Sequence, residues 1–441
     1  MIPGALRFVT RMRAGAVAAM VGLLLVAFSF RVAAADGLFY VEERKDSRIL
    51  VFSRPASFQE WQSTGEIPKG IVREKAGPAG ETVVFDSTDA INLYNFKHDK
   101  PGEVFPRDEG KRGVSKFEWK DGKTTFESET GAFSLETELQ ARWKFDETKE
   151  NGEQSAFSLR RAKTKFEGWI YNKQLTYLLK VDWFGEEHLV ADATLNYDFT
   201  GNGAVQIKTG RFKVPYGRQE LISFTRQQFC DRTDVTEEFT MGRDYGLQIW
   251  GLAWGDRFEW RAGVFNGTGE DATKSTNNYE YAGRIMFQPW GDVGYSESDL
   301  ENLDHPRFAV ALAGSKNEFR EGISRDSVEG DVSFKYSGVS LYGEFFHRRN
   351  LPRELAETTS TGLISQIGVF LLPGKFELAF RYARIDPSDL ERQDEQIEKG
   401  VAANWYFHKH ALKLQGDYRQ IDDRASGSKT KEARLQLQYF F

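Results

Sequence analysis

The sequence predicts an all-β chain: one 16-stranded antiparallel transmembrane barrel preceded by a small α+β extension. Three observations predict it. Hydrophobicity takes on a period of two near residue 132 and keeps it through sixteen separate runs. The links between those runs alternate between tight turns and long polar stretches. The last run alternates up to Phe441.

The elements follow in chain order. Arg7, Arg11 and Arg13 open a cationic start, residues 14–30 carry no charge, and Ala33-Ala34-Ala35 supplies small residues for cleavage. That pattern reads as a secretory signal peptide over 1–35. Its removal lowers Lys+Arg from 59 to 55 against 65 acids, for a net charge near −10. Such a balance excludes the basic footprint of a nucleic-acid binder. No later stretch has the roughly 20 apolar residues that a spanning helix needs. A membrane crossing therefore requires a closed barrel, which satisfies its backbone groups between strands. Cys230 is the single cysteine, so no disulfide framework is expected.

Residues 36–131 read as a periplasmic extension. A strand at 48–53 (RILVFS) precedes a helix at 56–61, and about 33 residues later 82–86 (TVVFD) and 90–96 repeat the rhythm. Ser53 and Asp86 stand where an oxygen caps the following helix. A hairpin follows at 117–128 around Asp121-Gly122, a favoured two-residue turn.

Residues 132–441 form the barrel. In 135–145 (LETELQARWKF), Glu136, Glu138, Gln140, Arg142 and Lys144 fall on one parity and apolar residues mostly on the other. Strict alternation makes a strand with one greasy and one hydrated face. The sixteen strands run 132–146, 157–170, 174–184, 188–199, 204–213, 243–254, 257–266 and 278–289. They continue at 306–315, 326–337, 339–349, 361–372, 375–386, 395–407, 410–421 and 430–441. Short turns follow even strands and long loops follow odd ones, the asymmetry of an outer-membrane barrel. Two links depart from it: 185–187 is short on the long side, and 290–305 is long on the short side. The terminal aromatic suits a membrane interface.

Specific segments carry a family resemblance: 157–168 (FSLRRAKTKFEG), 210–223 (GRFKVPYGRQELIS), 242–251 (GRDYGLQIWG), 261–267 (RAGVFNG), 376–386 (FELAFRYARID) and 404–407 (NWYF). In these the chain resembles the phosphate-selective porin O and P family of Gram-negative outer membranes, over the barrel and not the extension. The resemblance implies a homotrimer, a long loop folded into the lumen, and passage of phosphate or polyphosphate along lumenal arginines and lysines. It also implies recognition of the Phe441 end by the barrel assembly machinery.

Pores select ions by the charges that line them. Parity and loop position nominate Arg142, Arg160, Arg161, Lys163, Lys165, Lys180, Lys208, Lys213, Arg218, Arg226, Arg261, Arg284 and Arg381 as pore-lining or anion-contact residues. The planar fork of Arg161 suits phosphate oxygens. The same parity also turns inward Glu136, Glu138, Glu167, Asp182, Asp192, Asp198, Glu259, Glu280, Glu344, Glu377 and Asp417. A lumen laced with ion pairs, serving general or cation-selective/carboxylate diffusion, is the alternative. In loop 214–242, Glu220, Asp231, Asp234, Glu237 and Glu238 outnumber Arg218, Arg226 and Arg232. A structural or adhesive barrel with a partner-binding extension is the rival from another class. Catalytic, metal and cofactor motifs are not found, and His408 and His410 read as solvated residues flanking a turn. The expected partners are outer-membrane lipid, copies of the chain and small anionic or polar solutes.

Overall fold

The computed structural model describes residues 39–67, 70–98, 116–120, 123–128, 130–148, 152–184, 189–268, 279–320, 323–352, 357–391 and 393–441. The leader at 1–35 and the Asp121-Gly122 turn lie outside them. The chain divides into two units, Met1–Arg112 and Gly113–Phe441.

The first unit contains β1 (Val41–Lys45), β2 (Arg48–Phe52), α1 (Pro55–Thr64), β3 (Ile71–Arg73), β4 (Thr82–Phe85) and α2 (Thr88–Lys97). Its sheet runs β1-β2-β4-β3, with β2 and β4 parallel. Continuous apolar runs such as RILVF suit a strand covered on both faces. Ile49, Val51, Val83 and Phe85 pack on Ala90, Ile91 and Tyr94 of α2. Leu50, Phe52 and Val84 pack with Phe58 and Trp61 of α1. The capping differs from expectation. Ser87, rather than Asp86, caps α2 by accepting from the Ala90 amide. Asp86 instead accepts from the Ser53 and Arg54 amides, each at 3.0 Å. Parallel pairing sets the two strand-to-helix turns side by side, so the carboxylate serves the neighbouring turn.

The second unit opens with a hairpin, β5 (Lys116–Lys120) and β6 (Lys123–Glu127). The sequence groups it with the extension, but β6 continues onto the next strand, pairing Glu127 with Ala132. The hairpin therefore lies within the barrel unit.

Sixteen strands follow. They begin with β7 (Gly131–Thr148), β8 (Gly152–Ile170), β9 (Asn172–Asp182), β10 (Val190–Asp198), β11 (Gln206–Lys213) and β12 (Arg243–Ala253). Next come β13 (Phe258–Phe265), β14 (Glu280–Phe287), β15 (Arg307–Arg320), β16 (Ile323–Tyr336) and β17 (Val339–Pro352). The last are β18 (Thr358–Leu372), β19 (Phe376–Asp386), β20 (Gln396–His408), β21 (Leu412–Asp423) and β22 (Ser428–Phe440). Each pairs antiparallel with its neighbour, and β22 closes on β7. Main-chain bonds between Phe441 and Thr137 extend that seam by one rung. Ile249, Ile285, Leu312, Phe380 and Leu437 stay exposed on the outside, whereas Gln140, Arg142, Arg284, Glu377 and Lys413 are buried inside. The greasy faces point outward and the hydrated faces inward.

The lumen is not left to solvent. Loop 214–242 folds into it, carrying α3 (Arg218–Leu221), a 3-10 turn (Phe224–Arg226) and α4 (Asp234–Phe239). Val214, Tyr216, Val235 and Phe239 of the loop pack against inward Phe212, Phe265, Phe346 and Ile364 of the wall. Two wall glycines make room for it. A β-carbon on Gly362 would lie 2.8 Å from Val235, and one on Gly368 1.8 Å from the Gln228 amide nitrogen.

The anomalously long link 290–305 also turns inward. Its Glu297 accepts from the Gln228 main chain at 2.8 Å and from the Gln219 and Gln366 side chains at 2.9 Å. Ser298 reaches Glu377 at 3.0 Å and Tyr406 at 2.9 Å. The link is long because it crosses to the loop instead of turning at the rim.

Candidate functional site

The tip of loop 214–242 meets a wall made of β7, β8, β21 and β22. Alternation turns Gln140, Arg142, Arg434, Gln436 and Gln438 inward, and all are buried. On β8 the ladder breaks: Gln140 pairs with Arg161 while Ala141 pairs with Leu159. Arg160 is thus the extra residue of a β-bulge, which re-aims side chains at the point of insertion. Arg160 and Arg161, although consecutive, both reach the Asp231 carboxylate of the loop tip, at 3.7 and 3.0 Å.

Two further guanidinium groups join them, Arg142 at 2.5 Å and Arg434 at 3.2 Å. Arg381 donates to the Asp231 carbonyl oxygen at 3.1 Å. Rings from the loop brace the cluster: the Arg161 guanidinium lies 3.7 Å from the Phe224 ring centre, and that of Arg381 3.8 Å from Phe229. Such stacking favours the cation electrostatically.

A cavity of about 230 Å³ adjoins the cluster, lined by Arg142, Lys144, Ser158, Arg160, Asp231, Arg419, Glu432 and Arg434. Five cations face two carboxylates there. Acids behind the lining share them, Asp417 with Arg434 at 2.7 Å and Asp234 with Arg419 at 3.0 Å, so an entering oxyanion competes for arginines that form strong charge-assisted bonds.

Most other nominated cations are held by wall acids. Lys163 pairs with Asp182 at 2.7 Å, Lys165 with Glu136 at 3.4 Å and Lys180 with Glu138 at 2.8 Å. Arg261 pairs with Glu259 at 2.9 Å, and Arg284 sits 2.5 Å from Asp331 and 2.9 Å from Glu329. The Lys208 ammonium lies 5.1 Å over the Trp250 ring. Lys213 donates to carbonyls at the end of α3, including Ile222 at 3.1 Å. Arg218, fully buried, donates to the Gly294 carbonyl at 2.6 Å and so ties the two infolded segments together. Arg226 is exposed and lines a second cavity of about 680 Å³ with Lys335, His410 and residues of 292–303. His410 is half-buried, its ring edge-on to Tyr406, because the inward link covers the turn where solvent was expected.

The structure therefore gathers Arg142, Arg160, Arg161 and Arg381 at one point and scatters the other nominated residues. Sequence reading missed Arg419, which lines the arginine-rich cavity, Lys335, which lines the larger one, and Arg243, which pairs with Asp192 at 2.9 Å. Arg419 shares the parity of Asp417, so extending the alternation by one step would have found it. Nothing in the pattern marks Glu297 or Gln228, whose roles rest on contacts between segments far apart in the chain.

Known proteins bear on this arrangement. An uncharacterized protein of Aquifex aeolicus (strain VF5) is 23% identical over 293 residues, covering 58% of this chain and 70% of that one. Among solved structures, an anion-selective porin from Comamonas acidovorans superposes with a TM-score of 0.54 at 12% identity, over 70% of this chain and all of the other. The outer membrane channel DcaP of Acinetobacter baumannii gives 0.51 at 11% identity, over 74% of this chain and all of the other. These likenesses establish the barrel fold. Residues 133–305, which include the bulged strand and both infolded segments, match the model of the family described as phosphate-selective porin O and P. Over those residues the chain is similar to the phosphate-selective porin O and P family, and together with the barrel fold this makes it a porin of the outer membrane.

Proposed function

We propose that the barrel passes small hydrophilic solutes by diffusion and prefers anions such as phosphate or polyphosphate, drawn to the arginine-rich cavity beside Asp231. The excess of five cations over two carboxylates in that cavity carries the reading. Residence there is brief because Asp231, Asp417 and Glu432 already share these arginines, so a solute competes for them and is not trapped. Diffusion needs no catalytic residue or cofactor.

Planar-bilayer reversal potentials in a KCl gradient test it. The native channel is expected to favour chloride, and Arg160→Glu, a half-exposed position on the cavity, to weaken or reverse that preference. A native preference for potassium defeats the anion reading. A second reading, general diffusion, draws support from the larger cavity, where four lysines and arginines face five carboxylates. It expects a reversal potential near zero.

The same proposal includes export through a leader cleaved after Ala35, a periplasmic location for the extension, assembly through the Phe441 strand and a homotrimer. Chemical cross-linking in detergent checks the last. Pull-down of periplasmic proteins with the full chain, against a chain lacking 36–112, checks the rival reading of the extension as a partner-binding module.

A further inference from the structure

Glu280 opens β14 with its side chain turned inward and no part of it exposed. Neither of its carboxylate oxygens makes a hydrogen bond of full geometry among the described residues, although the Ser315 hydroxyl stands near enough to interact with it. Two more oxygen-bearing side chains surround it. Asp244, on β12, is also fully buried. Asn317, on β15, is 3% exposed, and its Oδ1 has no partner among the described residues.

The ladders bring the three together. Tyr281 pairs with Lys316, so the next rung sets Glu280 beside Asn317. Gly267 donates its N–H to Asp244 Oδ2 at 2.6 Å and accepts from Asn317 Nδ2 at 3.1 Å. A β-carbon on Gly267 would lie 2.6 Å from Asn317 Oδ1 and 3.3 Å from the Glu280 amide nitrogen. Only a glycine leaves that space.

The setting is hostile to bare charge. Phe212 stands across the ladder from Asp244, and Phe265 across from Glu280. Both belong to the apolar cluster inside the barrel. A buried carboxyl must pair, bind a cation or take up a proton, and no ion pair involves Glu280 among the described residues. Two carboxylates and an amide oxygen, with neither imidazole nor thiolate, are the donors of a hard cation.

We propose that Glu280, Asn317 and Asp244 bind Ca²⁺, which fastens β12 to β15 across the link between β13 and β14. Calcium fits better than magnesium because its coordination tolerates irregular mixtures of carboxylate, amide and water oxygens.

Equilibrium binding of radioactive Ca²⁺ to the detergent-purified full chain tests the proposal, with thermal unfolding followed in Ca²⁺ and in EDTA. The wild type is expected to bind one ion and to melt at a lower temperature in EDTA. Glu280→Gln is expected to bind at least about tenfold more weakly and to melt alike in both. Asn317→Leu, which keeps both acids, gives the same readout should Glu280→Gln fail to fold. Absence of binding by the wild type overturns the site, as does equal binding by the variants. So does a protonated-carboxyl infrared band that persists in Ca²⁺ and vanishes in Glu280→Gln.

Discussion

The carboxylate of Asp231 holds together four arginines that would otherwise repel one another across the lumen. Removing one partner of a buried ionic cluster costs about 3–5 kcal/mol. Asp231→Asn should therefore destabilise the seated loop by that order, read as faster cleavage within 214–242 by added protease. It should also raise chloride over potassium permeability, since the arginines lose their internal anion. In the extension, Glu42 offers a different residue-scale test. Burial opposes its charge, but hydrogen bonds from Tyr40, His98 and Lys97 prevail and hold its pKa below the ordinary carboxylate value of 4.5. A depressed folded pKa contributes stability that is complete above the unfolded value and lost as pH falls through the folded one. Urea pulse proteolysis of residues 39–98 should show stability falling below about pH 4.5, with a shallower fall in Glu42→Gln.

At the level of elements, the inward loop depends on glycines that few sequence patterns would flag. Gly368→Val places a methyl-bearing carbon on the Gln228 amide and should cost about 1–3 kcal/mol by overpacking. The loop tip should withdraw, and single-channel conductance should rise; an unchanged conductance would mean that the loop does not set the width. The strands themselves were legible, each overlapping its expected range, because alternation is imposed on every residue by lipid outside and water inside. Arg160 defeats strict alternation, since a bulge adds one residue without any local signature in RRAK. The inward path of 290–305 was visible only as an excess of length. Its contacts, Glu297 to Gln228 and Ser298 to Tyr406, come from single residues on separate segments and leave no period to read. The site was half legible for the same reason. Parity finds Arg142 and Arg161 but is silent on which of a dozen cations the loop tip will visit.

Across the whole molecule, the lumen combines a dense lattice of ion pairs with one arginine-rich spot, so its selectivity should be a short-range effect. Raising ionic strength from 0.1 M to 1 M shrinks the screening length from about 10 Å to about 3 Å. Anion preference from reversal potentials should decline over that range; a constant preference would point to size rather than charge as the filter.

The seam between β7 and β22 joins side chains 294 residues apart, as where Arg142 meets Gln436. Contacts so remote along the chain are entropically slow to form. Until they do, the cylinder is a curled ribbon with two raw margins, each able to zip onto a stranger as readily as onto its own far end. Crowding thus turns sealing into a race against entanglement, and whatever keeps neighbouring ribbons apart decides the yield.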